Sequence, residues 1–294
     1  MTARTRLLVL FLVVFTLAAC QSNPQKASID EASSLTEQIA LADRLLENGK
    51  HEAALAEYLL AYEVDSTNRH VLSRLIYLYE QMGDTASTQY ALSQLLSVDP
   101  NNPAALEKLG LIELRNGQQV DAKEHLETAA ALGSSNWRLL NALGVLADYR
   151  GEHAAAQAYY AQGLEQQGAD RSSLLNNIGY SYYLSGDLQG ALRRFEQSLA
   201  ISPNFDQALS NKGLTLIRMG RSDEAYRVFK SFMSEEKALN NVGFLHMLFG
   251  EYQVAERYLR MAIKASPMYY EEAYQNLDRI EILQRSRRST DAPG

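Results

Sequence analysis

Polar and apolar positions follow one another down this chain in blocks of nearly constant length. Glycines that precede polar turns stand at Gly49, Gly83, Gly117, Gly151, Gly186, Gly220 and Gly250; the first four are 34 residues apart and the later gaps are 35, 34 and 30. Five positions after the turn glycine a small residue recurs, at Ala54, Ala122, Ala156, Ala191, Ala225 and Ala255, with Thr88 the departure. Four further on comes an aromatic or a leucine: Tyr58, Leu92, Leu126, Tyr160, Phe195, Phe229 and Leu259. Seven before the turn another small residue returns, at Ala42, Gly110, Gly144, Gly179, Gly213 and Gly243, with Ile76 the exception.

These positions predict a helix, a tight turn and a second helix in each block. Glycine suits the turn because it adopts a backbone conformation that other residues resist. A small residue midway along each helix lets the pair cross closely, and the large residue after the alanine fills the space between blocks. Pro100, Pro203 and Pro267 close blocks, since proline one turn past a helix end prevents continuation.

A period of 34 with these markers resembles the tetratricopeptide repeat. The resemblance implies an all-α fold, a right-handed superhelical solenoid of about seven helix-turn-helix repeats, at 35–68, 69–102, 103–136, 137–170, 172–205, 206–235 and 236–269. Ser34-Leu35-Thr36-Glu37 has the capping-box pattern and predicts the start of the first helix. An amphipathic stretch at 270–286, carrying Ala273, Leu277 and Ile280, predicts a capping helix over the open end, followed by a disordered tail at 287–294. The sixth repeat is short, with no proline in "KSFMSEEKALNN", which predicts an early helix stop and altered stacking against the seventh.

The N-terminus differs from the rest. Arg4 and Arg6 precede an apolar run from Leu7 to Leu17, the form of a secretory leader and too short for a permanent membrane span. Leu17-Ala18-Ala19-Cys20 resembles a bacterial lipobox, which implies a signal peptide at 1–19, a lipidated Cys20 bearing acyl chains such as palmitate, and, with Gln21 following, the outer membrane facing the periplasm. Residues 20–34 are polar and aperiodic and read as a flexible tether. Cys20 is the only cysteine, so packing alone must hold an exported fold together.

The net charge of −7, with no long basic run, argues against nucleic acid as a partner. The five histidines are scattered, with no HExxH or cysteine cluster, and the serines lack a GxSxG turn, so neither a metal, a cofactor nor a small-molecule substrate is expected, and no enzyme. In tetratricopeptide proteins the leading helices line a groove through the second, fifth, sixth, ninth, twelfth and thirteenth positions of each repeat. Those positions carry Asn177, Asn211 and Asn241, with Tyr180, Tyr183 and Phe244 beside them for apolar side chains, and Arg218 and Lys237 to meet a carboxylate. Asparagine amides offer donors and acceptors to an extended peptide backbone; the same amides are equally able to bond within the helix pair. Ala40, Arg74 and Lys108 replace them in the first three repeats, which puts any peptide groove in the C-terminal half.

"LNNIGYSYYLSGD" and "LNNVGFLHMLFGEYQVAERYLRMAI" resemble the TadD lipoproteins of the tight-adherence (Flp) pilus machine. That resemblance implies a membrane-anchored adaptor in pilus biogenesis, with the outer-membrane secretin or other pilus components as partners. A type IV pilotin of the PilF/PilW kind stands beside it, as does an envelope scaffold for peptidoglycan hydrolases, proteases or polysaccharide export.

Overall fold

A computed structural model describes residues 24–290, with side chains described over residues 34–285. The described residues form fifteen α-helices and no strand. They divide into two compact units, one ending at Val98 and the other beginning at Asp99. The expected signal peptide and Cys20 lie outside the described residues.

The first unit holds two pairs, α1 (Pro24–Glu47) with α2 (His51–Val64) and α3 (Arg69–Met82) with α4 (Thr85–Val98). Helix α1 begins well before the expected start, so Ser34–Glu37 lies inside it and residues 24–34 of the expected tether are helical. Proline suits the first turn, where its missing N–H costs nothing, and the Gln, Lys, Ala and Glu residues that follow favour the helix. Ala42, Ala54, Tyr58, Ala61, Val71, Leu75 and Leu78 form the core. The two departures from the small-residue pattern are both accommodated here. Ile76 is buried, and Thr88 is buried with its hydroxyl donating to the Asp84 carbonyl at 2.7 Å.

The second unit continues with α5 (Pro103–Arg115) and α6 (Gln119–Ala131), α7 (Trp137–Tyr149) and α8 (His153–Leu164), and α9 (Arg171–Leu184) and α10 (Leu188–Ile201). Then come α11 (Asp206–Arg218) and α12 (Ser222–Lys230), α13 (Glu235–Leu248) and α14 (Tyr252–Ala265), and last α15 (Glu271–Thr290). Each leading helix packs on its own trailing helix and also on the next leading helix, so α5, α7, α9, α11, α13 and α15 form one continuous row. Helix α15 runs past the expected end at 286, over residues assigned above to a disordered tail, while residues 291–294 lie outside the described residues.

The markers work as close-approach points. A methyl group added at Gly179 would lie 2.7 Å from Cε1 of Phe195, a ring that is fully buried. The large residue therefore occupies the space that the missing side chain leaves. Gly186 closes the α9–α10 turn at φ 90°, in the left-handed region open to glycine at little cost. At two blocks that no proline ends, a polar cap starts the next helix: Asn136 accepts from the backbone N–H groups of Arg138 and Leu139, and Asp170 from that of Ser173.

Helix α12, in the short sixth repeat, has nine residues, against fourteen in α10 and α14. It stops at Lys230, as expected, and Phe232 and Met233 beyond it pack onto the core. Polar contacts fasten its N-terminal end. Ser222 Oγ lies 2.9 Å from His246 Nε2, the other nitrogen of that ring faces the Glu251 carboxylate, and Tyr258 donates to Asp223 at 3.2 Å.

Candidate functional site

The row of leading helices in the second unit presents a polar and aromatic strip along α7, α9 and α11. Its spine is a chain of four amides. Asn211 Nδ2 donates to Asn176 Oδ1 at 2.9 Å, Asn176 Nδ2 to Asn177 Oδ1 at 3.2 Å, and Asn177 Nδ2 to Asn141 Oδ1 at 2.8 Å. Every donation runs towards the preceding leading helix, or within one, so the amides are oriented in one sense. Asn176 is 1% exposed, while Asn141, Asn177 and Asn211 are half-buried. Each of these three retains unused donor or acceptor capacity towards the open side, because an amide carries two donors and two lone pairs.

A cavity of about 410 Å³ opens beside this spine. Val145 and Tyr149 of α7, Asn177, Tyr180 and Leu184 of α9, and Gln207 of α11 line it. At its base Asp148, barely exposed, accepts from the Tyr160 hydroxyl at 3.0 Å and faces His153 Nδ1 at 2.8 Å. Burial raises the Tyr160 hydroxyl far above the usual tyrosine range, and the adjacent Asp148 charge raises it further. Burial likewise raises Tyr180, with Tyr183, Tyr149 and Asp148 adding to the effect, so its hydroxyl stays protonated and available as a donor.

Beyond the cavity the rings continue. Tyr180 stacks on Tyr183 with centroids 5.9 Å apart and planes 15° from parallel. The Arg218 guanidinium then sits 5.5 Å from the Tyr183 ring and 5.3 Å from Phe249, the residue that ends α13. It donates one long hydrogen bond, 3.5 Å, to the Tyr183 hydroxyl. Among the described residues no carboxylate pairs with it, although the chain carries a net charge of −7.

Of the residues singled out above, Asn177, Asn211, Tyr180, Tyr183 and Arg218 are brought together on α9 and α11. The three on α13 behave otherwise. Asn241 donates to Met233 Sδ at 3.4 Å instead of extending the amide chain, because the short α12 brings Met233 to it. The neighbouring Asn240 pairs with Asn276 of α15 at 3.1 Å. Phe244 is half-buried against the core, and Lys237 is exposed. The amides bond between leading helices, a third arrangement that neither a free ladder nor bonding within one pair describes. Asn141, Asp148, Tyr149 and Gln207 escaped the sequence reading. They occupy the fifth, twelfth, thirteenth and second positions of their repeats, so scanning every groove position would have found them.

Ser222, His246 and Glu251 have the connectivity of a hydrolytic triad, a serine on one ring nitrogen and a carboxylate on the other. His246 is 3% exposed and stacks on Tyr258 at 5.8 Å and 10°, which closes the ring to substrate. The trio fastens α12 to α13. Among the described residues no group of three or more His, Cys, Asp or Glu side chains is arranged to hold a metal ion. None of the described helices is long and apolar enough to cross a membrane.

Comparison with known proteins agrees with the architecture. The tetratricopeptide repeat pattern matches residues 73–136 and 141–208. Photosystem I assembly protein Ycf3 of Rippkaea orientalis is 31% identical over 132 residues, covering 44% of this chain and 67% of that protein. Other curated relatives are matched over 45% and 57% of their lengths, so the chain spans about half of them. Among solved structures, a tetratricopeptide repeat protein of Parabacteroides merdae superposes with a TM-score of 0.60 at 14% identity, covering 85% of this chain and 99% of that one. The structure of Pseudomonas aeruginosa pilF does so with a TM-score of 0.50 at 21% identity, covering 72% and 96%. The chain belongs to the tetratricopeptide-repeat family, whose members are suited to binding other proteins.

Proposed function

We propose that this protein is a non-enzymatic adaptor, anchored to the outer membrane through a lipidated Cys20 and facing the periplasm. It holds an extended segment of a protein partner along α7, α9 and α11 during assembly of a tight-adherence (Flp) pilus. The observation that carries the binding reading is the oriented amide chain Asn141–Asn177–Asn176–Asn211 beside an open cavity. Oriented amides offer main-chain hydrogen bonds to an extended strand without reading its side chains, and the cavity takes one side chain. The anchor rests on Leu17-Ala18-Ala19-Cys20, and the pilus pathway on the resemblance to TadD lipoproteins. The pilF neighbour favours a second reading, a pilotin of the PilF/PilW kind.

In-cell crosslinking from positions on α9 and α11, with mass spectrometry of the adducts, tests the pathway. Capture of a secretin or another pilus component supports it. Capture of hydrolases or proteases without pilus parts replaces it with an envelope scaffold. The same cells carrying Cys20→Ala test the anchor: the expected result is loss from the outer-membrane fraction, and retention in unchanged amount refutes lipidation as the tether.

A further inference from the structure

On the reading that α7, α9 and α11 form the binding face, we infer that this face selects a partner segment in which a large apolar side chain and a carboxylate lie about three residues apart. The cavity and the cation are parts of one strip. Tyr180 lines the cavity and stacks on Tyr183, and Tyr183 lies against the Arg218 guanidinium. These two ring-to-neighbour steps, 5.9 and 5.5 Å, put Arg218 within about 11 Å of the Tyr180 ring, a reach of about three extended residues.

Arg218 is set up to receive rather than only to brace. A guanidinium has five N–H donors, and among the described residues a single long bond to Tyr183 is the one hydrogen bond it makes. The Tyr183 and Phe249 rings hold it from α9 and from the end of α13, so little side-chain freedom remains to be lost when a carboxylate arrives. Of the other basic side chains of α11, α12 and the turn between them, Arg227 lends its charge to Glu224, and the remaining three form ion pairs. Lys212 pairs with Glu196 at 3.1 Å, Arg221 with Glu224 at 2.7 Å and Lys230 with Glu235 at 3.0 Å. In an acidic chain that neutralises its neighbours, an exposed arginine clamped between two rings and lacking a carboxylate is complementary to an acid brought by a partner. The apolar requirement comes from the cavity walls Val145, Tyr149, Tyr180 and Leu184. The strip therefore reads from an apolar side chain at α7–α9 towards an acid on the α13 side.

Panning a random decapeptide phage library against the full chain in detergent tests this, followed by binding of the enriched peptides synthesised with a fluorophore. The expected result is enrichment of Asp, Glu or a free C-terminal carboxylate two to four residues from an aromatic or leucine. Replacing that acid by its amide should weaken binding about tenfold, the scale of a charge-assisted hydrogen bond. Arg218→Glu should reverse the preference towards Lys and Arg and lower the melting temperature by only a few degrees, since the two ring contacts it gives up are at an exposed site. Enriched peptides that lack the acid, or that bind wild type and Arg218→Glu alike, overturn the inference; if they still lose affinity to Asn177→Ala with Tyr180→Ala, the binding face itself stands. A wild-type chain that enriches no sequence overturns both.

Discussion

The leading helices of the first unit and those of α7, α9 and α11 come from the same repeat and brace one acid alike, Asp43 and Asp148, yet they leave their arginines in different states. In the first unit one carboxylate absorbs everything near it. Asp43 accepts from the Tyr58 hydroxyl at 2.5 Å, faces His70 Nε2 at 3.0 Å and pairs with Arg74 at 3.3 Å. In the second unit no acid sits beside Arg218, and the amides bond to one another. A charge balanced within the fold is a brace, and a polar group left partly unmatched beside a cavity is a binding surface. Position in the repeat does not separate the two cases: Arg74 and Asn211 both stand at the sixth position of their repeats, and neighbouring residues assign their roles.

The largest test of this comparison concerns the scaffold beneath the strip. Phe195→Ala empties the space against Gly179 and should cost about 3–5 kcal/mol of unfolding free energy in the second unit. Denaturant unfolding measures it; a cost near zero would mean that the glycine–aromatic contact does not hold α9 to α10. An intermediate effect is expected at Asn176, which is almost wholly buried and both donates and accepts in the chain. Asn176→Ala should destabilise by about 1–3 kcal/mol through unmatched partners. Asn177→Ala should change melting less but reduce partner capture in the crosslinking assay. Equal melting of the two variants would remove the distinction between a packed amide and a presented one.

The smallest effects separate two carboxylates by pH, the half-buried Asp43 and the buried Glu113. Burial would raise the Asp43 carboxyl, but the Tyr58 and His70 hydrogen bonds and the His70 and Arg74 charges outweigh it, leaving it below its ordinary value of 3.8. Its stabilisation is thus complete above pH 3.8 and disappears as pH falls through the lower folded value. Glu113 of α5 is raised above 4.5, because burial outweighs the hydrogen bond and charge of His125 at 2.7 Å. Its contribution is present below pH 4.5 and lost as pH rises through the folded value. At pH 7 Asp43→Asn should therefore melt lower than the parent chain, and Glu113→Gln no lower. Parallel thermal melts at pH 7 and pH 4 decide it, and identical behaviour of the two variants would contradict the assignment.

Much of the architecture was legible because the repeat encodes each contact locally. Gly179 and Phe195 recur at fixed spacing since the pair must fit in every copy, so one period yields seven helix pairs. The ends were less legible. The boundary at Ser34 failed because a capping-box pattern also fits the interior of a helix, and proline upstream opens one as readily as it closes one. The strip was half legible. Asn177, Tyr180 and Arg218 stood out as residue types at groove positions; Asn141 and Asp148 hold groove positions too, but only their contacts with Asn177, His153 and Tyr160 mark them as part of the strip.

The sequence alone determined the repeat, its turns and the early stop of α12, because these depend on residues a few positions apart and on backbone conformation. Only the tertiary structure decided which polar groups were left for a partner. Arg74 is spent on Asp43, Asn241 on Met233 and Asn176 on its neighbours, while Arg218 is held by two rings without a carboxylate. Hydrogen bonding and charge pairing are settled between side chains about 8 to 36 positions apart, and spacing in one repeat carries no record of what the next repeat brings against it.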